Sequence, residues 1–249
     1  MFEKEIVKVI KDFLNEIGIE NNILQGNLLE KEVKEFLIQE PNAFLLGLIA
    51  DQSVKAELAW SLPYRLKERI GTFDFEKIYH SYDEKKLEEV MRTKPALHRY
   101  PSRMASYILS AIHDVLTKYQ GNAKNIWENQ TAAEVVKRLE VFKGISHKKA
   151  SLGTLILVRD LNIDIVDRQN IDIAYDVHIK RVFERVGLVT ETTEEQVLTS
   201  ARKLNPEFPG EFTTAFWTIG RDDCHASNPS CLQCPLNKVC KYHNKKMST

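Results

Sequence analysis

An all-α fold is the first expectation from this chain. It rests on apolar residues recurring at spacings of three and four, on helix-start signals ahead of several such runs, and on the want of any convincing strand pair. Residues 4–17 place Ile6, Ile10, Phe13 and Ile17 on one face. Residues 42–70 read as helical, and residues 101–119 as a further helix opening at Pro101. Thr131 and Glu134 have the spacing of a capping box ahead of Val135, Val136 and Leu139, so a helix is expected over 131–142. Thr192 and Glu195 repeat that signal before Val197, Leu198 and Ala201. The best strand candidate is 162–173, where Ile and Asp alternate, but it has no evident partner. No repeat, low-complexity tract or Gly/Ser linker interrupts the helical pattern, and the connections are short, as between packed helices. Trp60, Trp127 and Trp217 lie in apolar helical contexts and are expected in the core.

The 249 residues suffice for one large domain or two small ones. A composition of 43% hydrophobic and 28% charged residues is that of an ordinary globular protein. No apolar run approaches the roughly 18–20 residues of a membrane helix. The opening segment MFEKEIVKVIKDFL mixes acids and lysines among its apolar residues, unlike a secretory signal. A cytoplasmic chain that contacts no membrane is therefore expected, nucleoid-associated if prokaryotic. The 35 Lys and Arg balance 35 Asp and Glu, so any attraction to nucleic acid must come from local basic patches.

All four cysteines fall at Cys224, Cys231, Cys234 and Cys240. Thiols so closely spaced in a cytosolic chain point to a metal site rather than to disulfides. On chemistry alone, a single zinc and a cubic iron–sulfur cluster compete evenly for four thiolates. Zinc sites more often pair two Cys-x2-Cys knuckles, and only one is present. Lys238, Lys241, Lys245 and Lys246 nearby offer a basic surface for phosphates.

Residues 134–158 read as two helices joined by Lys143-Gly144-Ile145-Ser146-His147. Gly144 permits a very tight turn. The second helix starts near Ser146, and the amides and positive dipole end of its first turn suit a DNA phosphate without reading sequence. Lys148 falls in or beside that turn, where the dipole favours the neutral amine that a nucleophile needs. A helix–turn–helix corner with exposed lysines would carry the same residues.

Phe-Lys-Gly-Ile-Ser-His-Lys-Lys-Ala at 142–150 resembles the helix-hairpin-helix signature of DNA glycosylases related to endonuclease III, with Gly144 and Lys148 in register. Lys143 replaces the usual proline and Ser146 the second glycine; Ser146 is expected to cap the helix. Asp176-Val177-His178-Ile179-Lys180-Arg181-Val182 resembles the family's Asp-Thr-His-x-x-Arg-Val stretch. The resemblance gives Asp176 the carboxylate that stabilises positive charge on the sugar. On its own residues Asp176 also reads as a helix N-cap, and His178 and Arg181 read as structural. The span from Lys148 to Asp176 is longer than the family's, with the surplus around Asp164–Asp172.

The cysteine spacing and the Gly220-Arg221 lead-in resemble the [4Fe–4S] loop of endonuclease III and MutY-type enzymes. That resemblance implies a [4Fe–4S] cluster on the four cysteines. It also implies a two-lobed fold: a helical barrel over 32–163, and a cluster domain made of 1–31 with 164–249. Lys148 and Asp176 are then the catalytic pair. Gln52 occupies the position of a glutamine that enters the DNA helix, and His98 and Arg99 lie in a second insertion loop. Lys143, Gly144, Ser146 and Lys149 are expected at the DNA backbone. The implied protein is a monomeric glycosylase, with abasic-site lyase activity, acting on duplex DNA that carries a damaged or mispaired base. A glycosylase using Asp176 to activate water, and a DNA-binding protein without catalysis, are the alternatives.

Overall fold

The structure is a computed structural model that describes residues 2–247, with side chains through 245; the side chain of Lys246 lies outside the described residues. Thirteen α-helices and three short 3-10 turns make up its regular structure, and no strand occurs among the described residues. The chain divides into two compact units, residues 23–165 and residues 1–22 with 166–249.

Within residues 23–165 lie α2 (Lys31–Gln39), α3 (Pro41–Ala50), α4 (Ala56–Ile70), α5 (Phe75–Ser81), α6 (Glu84–Arg92), α7 (Pro101–Lys118), α8 (Ala132–Glu140) and α9 (His147–Arg159). Helix α3 is apolar on every side and buried from Ala43 to Ala50, as a central helix must be. Phe44 on α3 meets Trp60 and Trp127 at ring separations of 5.5 and 5.6 Å. The expected helix over 42–70 is two helices, broken where polar Asp51 and Gln52 end α3. Thr131 caps α8 through the Glu134 amide, but Glu134 does not complete a capping box: its carboxylate pairs with Arg138 at 2.9 Å. Two arginines of α4 hold the segment before α7. Arg69 donates to the carbonyls of Val90, Thr93 and Pro95, and Arg65 to that of Pro95.

The other unit contains α1 (Phe2–Ile17), α10 (Val177–Val186), α11 (Glu194–Leu204), α12 (Thr213–Asp222) and α13 (Lys241–Met247). Ile6 and Ile10 of α1, Ile179 and Phe183 of α10, and Phe216 of α12 are fully buried in one core. Phe183 and Phe216 stand 4.7 Å apart. Helix α10 crosses α12 at Gly220, where a Cβ would fall 2.6 Å from the Cβ of His178. Trp217 is only half-buried, lying against His178 with the Arg221 guanidinium 4.4 Å over its ring. Helix α11 is capped by Thr193, one residue later than expected, and the Thr192 carbonyl accepts the Tyr175 hydroxyl.

The alternation at 162–173 does not make a strand. Residues 168–170 form a 3-10 turn, and the isoleucines at 165, 171 and 173 are single buried anchors of an irregular segment. Asp172 is buried because Arg202 holds both its oxygens at 2.7 Å. Residues 171–174 are buried in succession, so the Ile/Asp alternation does not mark two faces of a strand.

Candidate functional site: a hairpin corner, a capped carboxylate and a cysteine loop

The hairpin between α8 and α9 turns at Gly144, whose φ of +87° is open to glycine at no steric cost. A Cβ there would also sit 2.6 Å from Tyr107 of α7 and 3.1 Å from the Gln52 amide nitrogen. Ser146 occupies the N-cap position with extended backbone, but its side chain makes no capping bond, contrary to expectation. The corner is closed instead by His147, whose Nδ1 lies 2.6 Å from a Glu140 oxygen, and by Lys149. Lys148 lies in the first turn of α9 and is half-buried, while Lys143 is exposed.

Lys149, expected at the DNA backbone, is instead only 7% exposed. Its Nζ donates to the Gly144 carbonyl at 2.7 Å and to the Ile49 carbonyl at 2.8 Å. Burial pulls its pKa down to about 8, against the attraction of Asp51 and with the help of repulsion from Lys148. That removes Lys149 from the phosphate-facing set. Gln52 donates its amide to the same Ile49 carbonyl at 2.8 Å.

His98 is buried as well, at 4% exposure, and so is not an insertion side chain. Its Nδ1 accepts the Tyr100 N–H at 3.0 Å, so Nε2 carries the proton and donates to the Ala50 carbonyl at 3.2 Å. Burial lowers its pKa, and the imidazole stays neutral. Arg99, beside it, is exposed. Asp51 completes the corner, accepting from Trp60 Nε1 at 3.4 Å. Burial raises its carboxyl above the ordinary range, while Lys149, Lys148 and the Trp60 bond pull the other way. The sequence reading missed Asp51 and the burial of Lys149. The signal was present: Lys149 precedes the inward-facing Gly153 and Ile156 by four and seven residues, which puts it on the buried face of α9.

Asp176 is the N-cap of α10, with Oδ1 accepting the amides of His178 and Ile179 at 2.9 Å each. Those bonds fix the carboxylate's orientation. Arg181 donates to the carbonyls of Gly220 and Cys224, so it is structural. Arg185, one turn on, donates to the carbonyls of His225 and Ala226, and its Nη1 lies 3.4 Å from the Cys224 sulfur. All four cysteines line one cavity together with Arg185. Burial pushes the Cys234 thiol up to about 12 and raises that of Cys240, so these sulfurs carry protons unless a cation holds them as thiolates. Soft donors around a shared cavity, with a guanidinium near one sulfur, fit a sulfur-bound metal centre in kind. Among the described residues, no group of three or more His, Cys, Asp or Glu could hold a single metal ion. Lys241, expected to face phosphate, donates to the Gly187 carbonyl at the end of α10 and lies 4.8 Å over the Phe2 ring. No described helix is long and apolar enough to cross a membrane.

These features define a class. The chain belongs to the HhH-GPD superfamily of base excision DNA repair proteins, whose description matches residues 46–207. Over 75 residues it is 31% identical to an endonuclease III of Thermotoga maritima, covering 30% of this chain and 35% of that one. Over 77 residues it is 32% identical to a thymine-DNA glycosylase of Aeropyrum pernix, covering 28% and 34%. The chain thus spans about a third of the length of the curated relatives it matches. A trapped endonuclease III–DNA covalent intermediate superposes with a TM-score of 0.70 at 18% identity, covering 98% of both chains. A thermostable thymine-DNA glycosylase gives 0.67 at 14% identity, covering 98% of this chain and 97% of that one. The all-helical fold is therefore that of the endonuclease III-like glycosylases.

Proposed function

We propose that this protein is a base-excision DNA glycosylase that also cleaves the strand at the abasic site it creates. It would act as a monomer on duplex DNA carrying a damaged or mispaired base. The observation that carries the reading is the hairpin, in which a turn that only glycine fits delivers Lys148 to the first turn of α9. The fold is shared with an endonuclease III trapped as a covalent DNA intermediate, which supports the reading. In the proposed reaction the target nucleotide is extruded from the stack. The Lys148 amine attacks C1′, the C1′–N bond to the base breaks, and the base leaves with a proton. The C1′–O4′ bond then breaks, O4′ takes up a proton and C1′ becomes a Schiff base with the lysine, after which loss of a C2′ proton eliminates the 3′ phosphate. Asp176, oriented by two amides, stabilises positive charge on the sugar as the base departs. Gln52 enters the gap, and Lys143, Arg99 and the Gly144–Ser146 turn grip the backbone.

Cys224, Cys231, Cys234 and Cys240 would hold a [4Fe–4S] cluster. Four soft donors lining one cavity support a sulfur-bound metal centre, and the spacing of the cysteines supports a cluster over zinc. When bound, the cluster supplies cross-linking of the loop that follows α12.

Borohydride trapping on lesion-bearing duplexes tests the proposal. Wild type should give a covalent adduct, and Lys148→Gln should lose adduct and strand cleavage together. Base release by Lys148→Gln at nearly the wild-type rate would make the protein a water-using glycosylase that relies on Asp176. No release from oxidised, deaminated, alkylated or mismatched bases by wild type would leave only a DNA-binding role.

A further inference from the structure

The corner holds a buried cation that the proposed reaction does not use. Lys149 Nζ bridges the carbonyl of Gly144, in the hairpin turn, and the carbonyl of Ile49, in the last turn of α3. Carbonyls at a helix end attract a cation. The Ile49 carbonyl also takes the Gln52 amide, and His98 Nε2–H takes the next carbonyl, that of Ala50. The segment 49–52 is thus held by buried polar side chains from α9 and from the loop before α7, with Trp60 of α4 bonded to Asp51.

We propose that Lys149 is a positioning residue: its ammonium locks the Gln52 segment to the hairpin, so that the side chain filling the DNA gap and the Lys148 amine move as one piece. The proposal rests on the reading of Lys148 as nucleophile and of Gln52 as the inserted side chain. A buried ammonium is an expensive way to hold two carbonyls, since desolvation opposes it. Its hydrogen bonds are charge-assisted and about twice as strong as neutral ones. Burial puts its pKa at about 8, so the lock weakens within the accessible pH range. The titratable or charged groups that face it are Asp51 after α3, Lys148 on α9 and His98 before α7.

Single-turnover cleavage of a duplex with one preformed abasic site needs no knowledge of the excised base. It should be followed from pH about 6.5 to about 9.5 in wild type, Lys149→Met and Lys148→Gln. Because Lys149→Met also removes a charge that acts on Lys148, the ratio of wild type to Lys149→Met is read together with hydrogen exchange of wild type at pH 7 and 9.5, which does not depend on the nucleophile. At pH 7 that ratio should be at least about tenfold, and it should fall toward one as pH rises through about 8, while Lys149→Met melts no lower than wild type. A ratio independent of pH, or a loss of rate matched by a lower melting temperature, overturns the proposal. Should Lys149→Met fail to fold, hydrogen exchange of wild type at pH 7 and 9.5 decides. Protection at 49–52 and 144–147, corrected for intrinsic rate, should drop several-fold at the higher pH; unchanged protection there overturns the lock. Cleavage by Lys148→Gln at the wild-type rate would sink the nucleophile assignment, and the exchange measurement would still judge Lys149.

Discussion

The hairpin corner and the cysteine loop are both short irregular segments fixed by cationic side chains on backbone carbonyls, yet they are built on opposite principles. In the corner the cation is Lys149, buried and bonded to Gly144 and Ile49, so the protein supplies the whole scaffold. In the loop the cations are Arg181 and Arg185 of α10, which fasten its first half, while four thiols line a cavity beside them. Two of those thiols carry pKa values raised by burial. One region is fixed by a buried lysine, and the other is fixed on one side by arginines and lined on the other by thiols.

The largest expected effect tests α10, which joins the carboxylate to the loop. Asp176→Asn keeps the shape of the cap and removes its charge, so base release should slow by at least about 100-fold in single-turnover assays. Affinity for lesion DNA should stay within a few-fold. Metal loss divides the two regions next. Anaerobically purified protein should be brown, with broad absorbance near ~400 nm and about four irons per chain. Cys234→Ser should lose the colour and raise hydrogen exchange across 223–245, leaving 139–152 as protected as before. Colourless protein with one zinc would place a single ion there instead.

A smaller effect belongs to the corner's backbone. Gly144→Ala must adopt φ near +87° and displace Tyr107, so denaturant melts should show a loss of about 1–3 kcal/mol. The smallest effect is proton-linked. Because the folded pKa of Lys149 lies below its ordinary 10.5, the folded state binds that proton more weakly than the unfolded state. The buried ammonium therefore costs stability in full below pH about 8, and stability returns as pH rises from about 8 to about 10.5. The return is about 3 kcal/mol at most, and it should appear in thermal melts of wild type and vanish in Lys149→Met.

Helix positions were legible because α1, α7 and α8 carry clear periodicity and start signals, and Thr131 caps α8 as its spacing implies. The chemistry of Lys149 was less so. A lysine next to a candidate nucleophile reads as surface charge until it is placed on the helix face shared with Gly153 and Ile156. His98 was misplaced for a related reason, since a loop sequence does not show that the carbonyl of Ala50 waits for it. The alternation at 162–173 suggests a strand without a partner, and sequence alone does not show that Asp172 is buried by an arginine thirty positions further on.

The unit built from residues 1–22 and 166–249 is interrupted in the chain by the whole of the other unit, and its two pieces meet where Lys241 lies over Phe2. During synthesis α1 therefore emerges long before the helices that cover Ile6 and Ile10 exist. At usual elongation rates that interval is on the order of ten seconds. Residues 23–165 are contiguous and can fold meanwhile, with α1 as an unpaired leader. Its charged residues, Glu3, Lys4, Glu5, Lys8, Lys11, Asp12 and Glu16, keep that apolar face in mixed company while it waits. The order of assembly is thus written into the connectivity: hairpin first, cysteine loop last.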